Sequence, residues 1–164
     1  MLDLDKIPFD QSPNYHVGRS KPIKYVLIHA QLGSQIGSRA WFKNPKSQVS
    51  AHYLISQTGE ILQMVKDKDR AFHCWGVNDE SIGCEFEDKG MCMKGPWTTV
   101  EQLRKGAELV ASLVKKYKLE VKNVIGHNTP WIQKLNPAYA HQDPGPYFDL
   151  ELFRRMTQKE LNNG

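Results

Sequence analysis

Two short strand-like runs, each stopping at a histidine, constrain this chain more than any other feature. Tyr25-Val26-Leu27-Ile28 leads into His29, and Val121 to Ile125 leads into Gly126-His127. The first run is continuously apolar and rich in β-branched and aromatic residues, which suits a strand covered on both faces. Covering two faces takes helices, and the sequence supplies them. Val100, Leu103, Ala107, Val110, Val114 and Tyr117 recur at helical spacing. Thr98-Thr99-Val100-Glu101 reads as a capping box before them, so a helix is predicted to run to about Tyr117. A further amphipathic helix is predicted from an Asp149 cap through Leu152, Phe153 and Met156.

Val49 to Ser56 and Ile61 to Val65 flank Gln57-Thr58-Gly59-Glu60, which predicts a hairpin turning at the glycine. Ser81 to Glu87 alternates apolar and polar residues, predicting a strand with Glu85 and Glu87 on one face. Ala40-Trp41-Phe42 before Asn44-Pro45 reads as the end of a short helix or a turn. Residues 7–22 are rich in turn formers, so residues 1–22 are expected as an extended N-terminal arm. The order strand, hairpin, strand, helix, strand, helix predicts an α/β fold. It is expected as a single domain over residues 1–164, a central mixed β-sheet flanked by helices.

Composition narrows the function classes. Hydrophobic residues at 40% and charged residues at 24% belong to an ordered globular chain. The net charge of +4 favours an anionic polymer, and the absence of a Lys/Arg block speaks against nucleic acid. No apolar stretch approaches the ~18 residues of a membrane helix, so no membrane partner is expected. Met1 to Lys6 lacks the basic-then-apolar order of a signal peptide, so a cytoplasmic location as synthesised is expected. Cys74, Cys84 and Cys92 are expected to be reduced thiols, and the chain is expected to be a monomer.

The candidate chemistry gathers on a few side chains. His29 and His127 at strand ends, with Asp143 in the stiff turn Asp143-Pro144-Gly145-Pro146, offer two imidazoles and a carboxylate. That is the three-ligand set that leaves a zinc ion one position for water. The alternative is that each histidine is an isolated polar residue with a local hydrogen bond, since these long spacings match no short metal motif. Glu85 is the candidate for acid–base work, while Glu87 reads as a solvent-facing strand residue. His141 could donate to a developing oxyanion or merely cover its turn. His73 and Trp75, in Arg70-Ala71-Phe72-His73-Cys74-Trp75-Gly76, mix aromatic and polar groups as a sugar or peptide site does, although Phe72 or Trp75 could simply be core. His52 reads as a packed structural histidine. Serine-hydrolase elbow and P-loop motifs are absent.

Eight segments in register carry a resemblance. They are Ser12-Pro13-Asn14-Tyr15, Tyr25-Val26-Leu27-Ile28-His29, Val49-Ser50-Ala51-His52-Tyr53-Leu54-Ile55, Thr58-Gly59-Glu60-Ile61, Arg70-Ala71-Phe72-His73, Asn78 to Glu85, Gly126-His127 and Asp143-Pro144-Gly145-Pro146. Together they resemble the type 2 N-acetylmuramoyl-L-alanine amidases, whose fold is shared with peptidoglycan recognition proteins and amidase-type phage endolysins. The resemblance implies a central sheet of six or so strands. It also implies zinc-dependent hydrolysis of the amide between N-acetylmuramic acid and L-alanine, with peptidoglycan or muropeptides as partners. It places His29, His127 and Asp143 as zinc ligands, Glu85 as the catalytic carboxylate and His73 in the substrate groove.

Two departures accompany it. Relatives frequently have lysine where His141 stands, and a polar or aromatic residue where Ala30 stands. The expected setting is a phage-type endolysin. The alternatives are a cytoplasmic amidase that recycles anhydro-muropeptides and a non-catalytic peptidoglycan-binding module.

Overall fold

The computed structural model describes residues 1–135 and 137–164. Among the described residues, seven strands and four α-helices follow in order: β1 (Tyr15–His16), β2 (Tyr25–Ala30), α1 (Gln35–Lys43), β3 (Tyr53–Ile55), β4 (Ile61–Gln63), β5 (Arg70–Ala71), β6 (Ser81–Phe86), α2 (Val100–Lys116), β7 (Val124–Gly126), α3 (Pro130–Leu135) and α4 (Leu150–Asn163). The main sheet has five strands in the order β4-β3-β6-β2-β7, and β1 pairs with β5 in a separate two-stranded ribbon. The six or so strands implied by the resemblance are therefore five. The sheet is mixed, because β2 runs parallel to both β6 and β7, β3 runs parallel to β6, and only β3 and β4 are antiparallel.

Strand parity builds the two faces. Val26 and Ile28 of β2, with Ile82, Cys84 and Phe86 of β6, point to the side covered by α2 and α4. Leu27 points the other way, into a smaller cluster with Cys74, Val77, Ile125 and Ile132. Leu54 joins Phe42 of α1 on that second side. Every residue of β6 is buried, so its alternating sequence marks two covered faces rather than one wet and one dry.

Several elements differ from their sequence expectation. The hairpin is short, because residues 49–52 bond irregularly: Ser50 N–H donates to the Phe72 carbonyl and His52 N–H to the Gly83 carbonyl. Residues 121–123 form a 3₁₀ turn, leaving only Val124–Gly126 as strand. Helix α1 runs over nine residues from a Ser34 cap, so Ala40-Trp41-Phe42 is the end of a short helix rather than a turn. The cap of α2 is Thr99, not Thr98, and its hydroxyl accepts from Gln102 N–H. No reciprocal box forms there. The fully buried Gln102 amide instead donates to the Glu87 carbonyl and to the Ile55 carbonyl, which also accepts from Glu87 N–H at the sheet's end. The N-terminal arm is packed, with Leu2, Leu4 and Ile7 against the core and Ser12 and Asn14 buried.

Candidate active site

Parity and register place the polar groups together. His29 follows Leu27 on the second face of β2, and the register sets it directly beside Glu85 of β6. Both lie at the carboxyl ends of parallel strands, and His127 follows the end of β7, so all three enter the crevice where open α/β sheets hold ligands. Asp143 arrives on a separate turn, tied to the same edge by Asn128 N–H donating to its carbonyl at 2.9 Å. That turn needs its glycine. Gly145 has φ +83°, and a Cβ there would stand 2.2 Å from the Cys92 carbonyl oxygen.

Three candidate ligand groups converge. One donor atom each from His29, His127 and Asp143 lies within 4.8 Å of the others, and all three residues are buried. His29 Nδ1 is 2.9 Å from Asp143 Oδ2, and His127 Nδ1 is 3.4 Å from Asp143 Oδ1. Both imidazoles thus turn the same nitrogen toward one carboxylate.

Electrostatics agree with the chemistry a cation asks for. Burial holds the His29 imidazole below its ordinary pKa, against the pull of Asp143. Burial opposes ionisation of Asp143, but hydrogen bonds with His127 and His29 outweigh it and hold that carboxyl well below its usual range. A neutral imidazole at His29 with an ionised carboxylate is the donor state a zinc ion binds, so these residues fit the metal that the resemblance implies.

Around this trio the remaining candidates take distinct places. Glu85 Oε1 is 4.0 Å from His29 Nδ1. Burial, and then the nearby charges of Asp143 and Asp88, push the Glu85 carboxyl well above its usual pKa. His141 is half exposed, stacks on His127 at 4.7 Å between ring centroids, and has Nδ1 3.7 Å from Asp143 Oδ1. His73 stands behind His29, with its Nδ1 3.0 Å from His29 Nε2. Only a glycine allows that, since a Cβ at Gly83 would meet the His73 ring at 2.6 Å. Trp75 is exposed and lies outside the cleft, in an adjoining hollow with Lys21, Arg70 and Asp79 that shares the Phe72 wall. Glu87 is buried rather than solvent-facing, and its carboxylate accepts from Gln35 N–H and Gln57 N–H.

The cleft itself, of about 210 Å³, has Phe72 of the mixed aromatic and polar segment as one wall, and Trp41, Phe42 and Val49, which sequence reasoning passed over, as others. Trp41 is 55% exposed on a short helix, and an exposed tryptophan with no core to fill was the signal available. Cys74, Cys84 and Cys92 are buried and unpaired among the described residues, and Cys84 points to the α2 side, away from Glu85. No helix among the described residues is long and apolar enough to cross a membrane.

Comparison with known proteins follows this geometry. The sequence profile of the N-acetylmuramoyl-L-alanine amidase family matches residues 19–146. N-acetylmuramoyl-L-alanine amidase A of Achromobacter lyticus is 42% identical over 79 residues, covering 48% of this chain and 44% of that protein. The 1,6-anhydro-N-acetylmuramyl-L-alanine amidase AmpD of Escherichia coli K12 is 35% identical over 122 residues, covering 69% of this chain and 61% of that protein. The chain thus spans about half the length of these relatives. Among solved structures, a selenomethionine AmpD derivative superposes with a TM-score of 0.71 at 25% identity, covering 95% of this chain and 98% of the other. The catalytic domain of XlyA, at 18% identity and a TM-score of 0.68 over 93% of this chain and 99% of its own, shares the fold. On the profile match across most of its length, this chain belongs to the N-acetylmuramoyl-L-alanine amidase family.

Proposed function

We propose that this protein hydrolyses the amide joining the lactyl group of N-acetylmuramic acid to L-alanine, with zinc held by His29, His127 and Asp143. The observation that carries the reading is the convergence of those three buried donors at the open end of the sheet, beside a fourth ionisable group, Glu85. When bound, zinc supplies Lewis acidity toward a carbonyl and lowers the pKa of water toward ~7.

The chain's own residues do the rest. The charge of a bound cation would favour the ionised form of Glu85 against its burial, and in that form Glu85 accepts the proton of the attacking water and returns it to the departing alanine nitrogen. His141, half exposed over His127, donates a hydrogen bond to the carbonyl oxygen as charge develops there. It offers one N–H there, where the lysine frequent in relatives offers three. Trp41 and Phe72 offer apolar faces for a pyranose ring and hold water out of the cleft. A binding module that does not cut is disfavoured by the complete set of three metal-competent donors.

Two substrates fit this chemistry: polymeric peptidoglycan, as for an endolysin, and a soluble anhydro-muropeptide. The relative named for the 1,6-anhydro substrate shares 35% identity, whereas the XlyA likeness at 18% speaks to the fold only. That weighs toward the soluble fragment. Mass spectrometry of products from intact sacculi and from soluble anhydro-muropeptides tests it. The reading expects a free L-alanine amine from both preparations or the fragments alone, with faster release from the fragments. Faster release from sacculi assigns the endolysin role, and no new alanine amine from either rejects the amidase reading.

A further inference from the structure

We infer that His73 and Ser81 form a directed hydrogen-bond chain that fixes which nitrogen of His29 carries the proton, and so holds His29 ready as a metal ligand. The inference rests on the zinc reading above. It gives His73, which also lines the cleft, a second role as a positioning residue behind the ligand.

The argument is a count of donors. His29 turns Nδ1 toward Asp143 and Nε2 toward His73 Nδ1, 3.0 Å away. His73 Nε2 is 3.2 Å from Ser81 Oγ, and that hydroxyl lies 2.7 Å from the Val77 carbonyl oxygen. The carbonyl can only accept, so Ser81 donates to it with its single proton. Its oxygen is then free only to accept, which requires a proton on His73 Nε2. A neutral His73 with that proton has a bare Nδ1, which accepts from His29 Nε2–H. His29 is left with a bare Nδ1 facing Asp143 and His127. The direction runs from the ligand to a backbone carbonyl, and the bare His29 Nδ1 would exchange its hydrogen bond with Asp143 for the metal.

The opposite direction puts a proton on His29 Nδ1, where it blocks the metal. It also turns the Ser81 hydroxyl to His73 and gives up the bond to Val77. The neighbourhood is built for this contact. Ser81 is fully buried, Asn78 Oδ1 accepts from the backbone N–H groups of His73 and Cys74, and Gly83 leaves room for the ring. The outer partner of a metal-bound imidazole normally sets its tautomer, and removing it typically weakens metal binding 10–100-fold.

Nitrogen-15 spectra of the imidazoles in the zinc-loaded protein test the direction itself. Protons on Nε2 of both His29 and His73 are expected, and a proton on His73 Nδ1 overturns the proposal. Zinc affinity, measured by competition with a chelating dye, provides a second readout. Ser81→Ala and His73→Phe are expected to bind zinc about 10-fold more weakly or worse. His73→Gln, whose amide oxygen can accept from His29, is expected to recover part of the loss, which general loosening of the fold would not do. Affinities of both Ser81→Ala and His73→Phe within twofold of wild type overturn the chain. If the wild-type protein binds no zinc, the metal reading falls along with it; if it binds zinc with the wrong His73 tautomer, only the chain falls.

Discussion

Glu85 sits at the buried end of β6 beside His29, with a carboxyl whose burial favours the neutral form. Glu85→Gln keeps the shape and removes the proton acceptor. The variant is expected to bind zinc with unchanged stoichiometry while its cleavage rate falls 10²–10⁴-fold, measured by product release under saturating substrate. Near wild-type turnover would remove Glu85 from the mechanism. At this scale the sequence was informative where a residue's neighbours are local, and the strand ending at His29 was plain. Nothing in the spacing of His29, His127 and Asp143 brings them together, and only the resemblance over eight segments joined them. The resemblance places His73 in the substrate groove, and His73 does line the cleft. Its position behind His29 depends on Gly83, a residue from another strand.

Elements were legible where one face is wet. Helix α2 shows its apolar stripe openly, and its cap was misplaced by only one residue. Thr99→Ala is expected to lower stability by about 1 kcal/mol in denaturant unfolding, with Thr98→Ala near neutral. The reverse ranking would restore the cap to Thr98. Strand β6 shows why covered elements are harder. Its Glu85 makes the sequence alternate, as a half-exposed strand would, yet that side of the strand lines the site rather than the solvent. The hairpin was overextended for a related reason. Residues 49–52 carry strand-like side chains, but the N–H groups of Ser50 and His52 donate to Phe72 and Gly83, partners outside the hairpin, and only the His52 carbonyl accepts from its other arm, at Met64.

Across the whole molecule, one buried carboxylate ties several elements together. Asp67 accepts hydrogen bonds from the hydroxyls of Tyr53 and Tyr117, from Gln63 and from Lys116, joining β3, β4 and the end of α2. Burial opposes its ionisation, but the bonds from Tyr53 and Lys116 outweigh that and hold its pKa below the ordinary value. A lowered folded-state pKa gives stabilisation that is complete above about pH 4 and lost as the pH falls through the folded value. Asp67→Asn is expected to cost about 2 kcal/mol at neutral pH, and the gap from wild type should close in acid. A gap that stays constant from pH 7 to pH 2.5 would contradict this account. This cluster is not legible in the sequence, since Asp67 lies in a run of alternating charge, Lys66-Asp67-Lys68-Asp69-Arg70, and its partners Tyr53 and Tyr117 are distant along the chain.

All of these scales meet at the metal. The most direct test follows cleavage of the muramoyl–L-alanine bond in purified protein stripped of metal and then supplied with one equivalent of zinc. Activity should vanish on stripping and return with zinc in the wild-type protein, and should fail to return in His29→Ala, His127→Ala and Asp143→Ala. Undiminished cleavage by the fully stripped protein, or full restoration by zinc in any of those three variants, would contradict it.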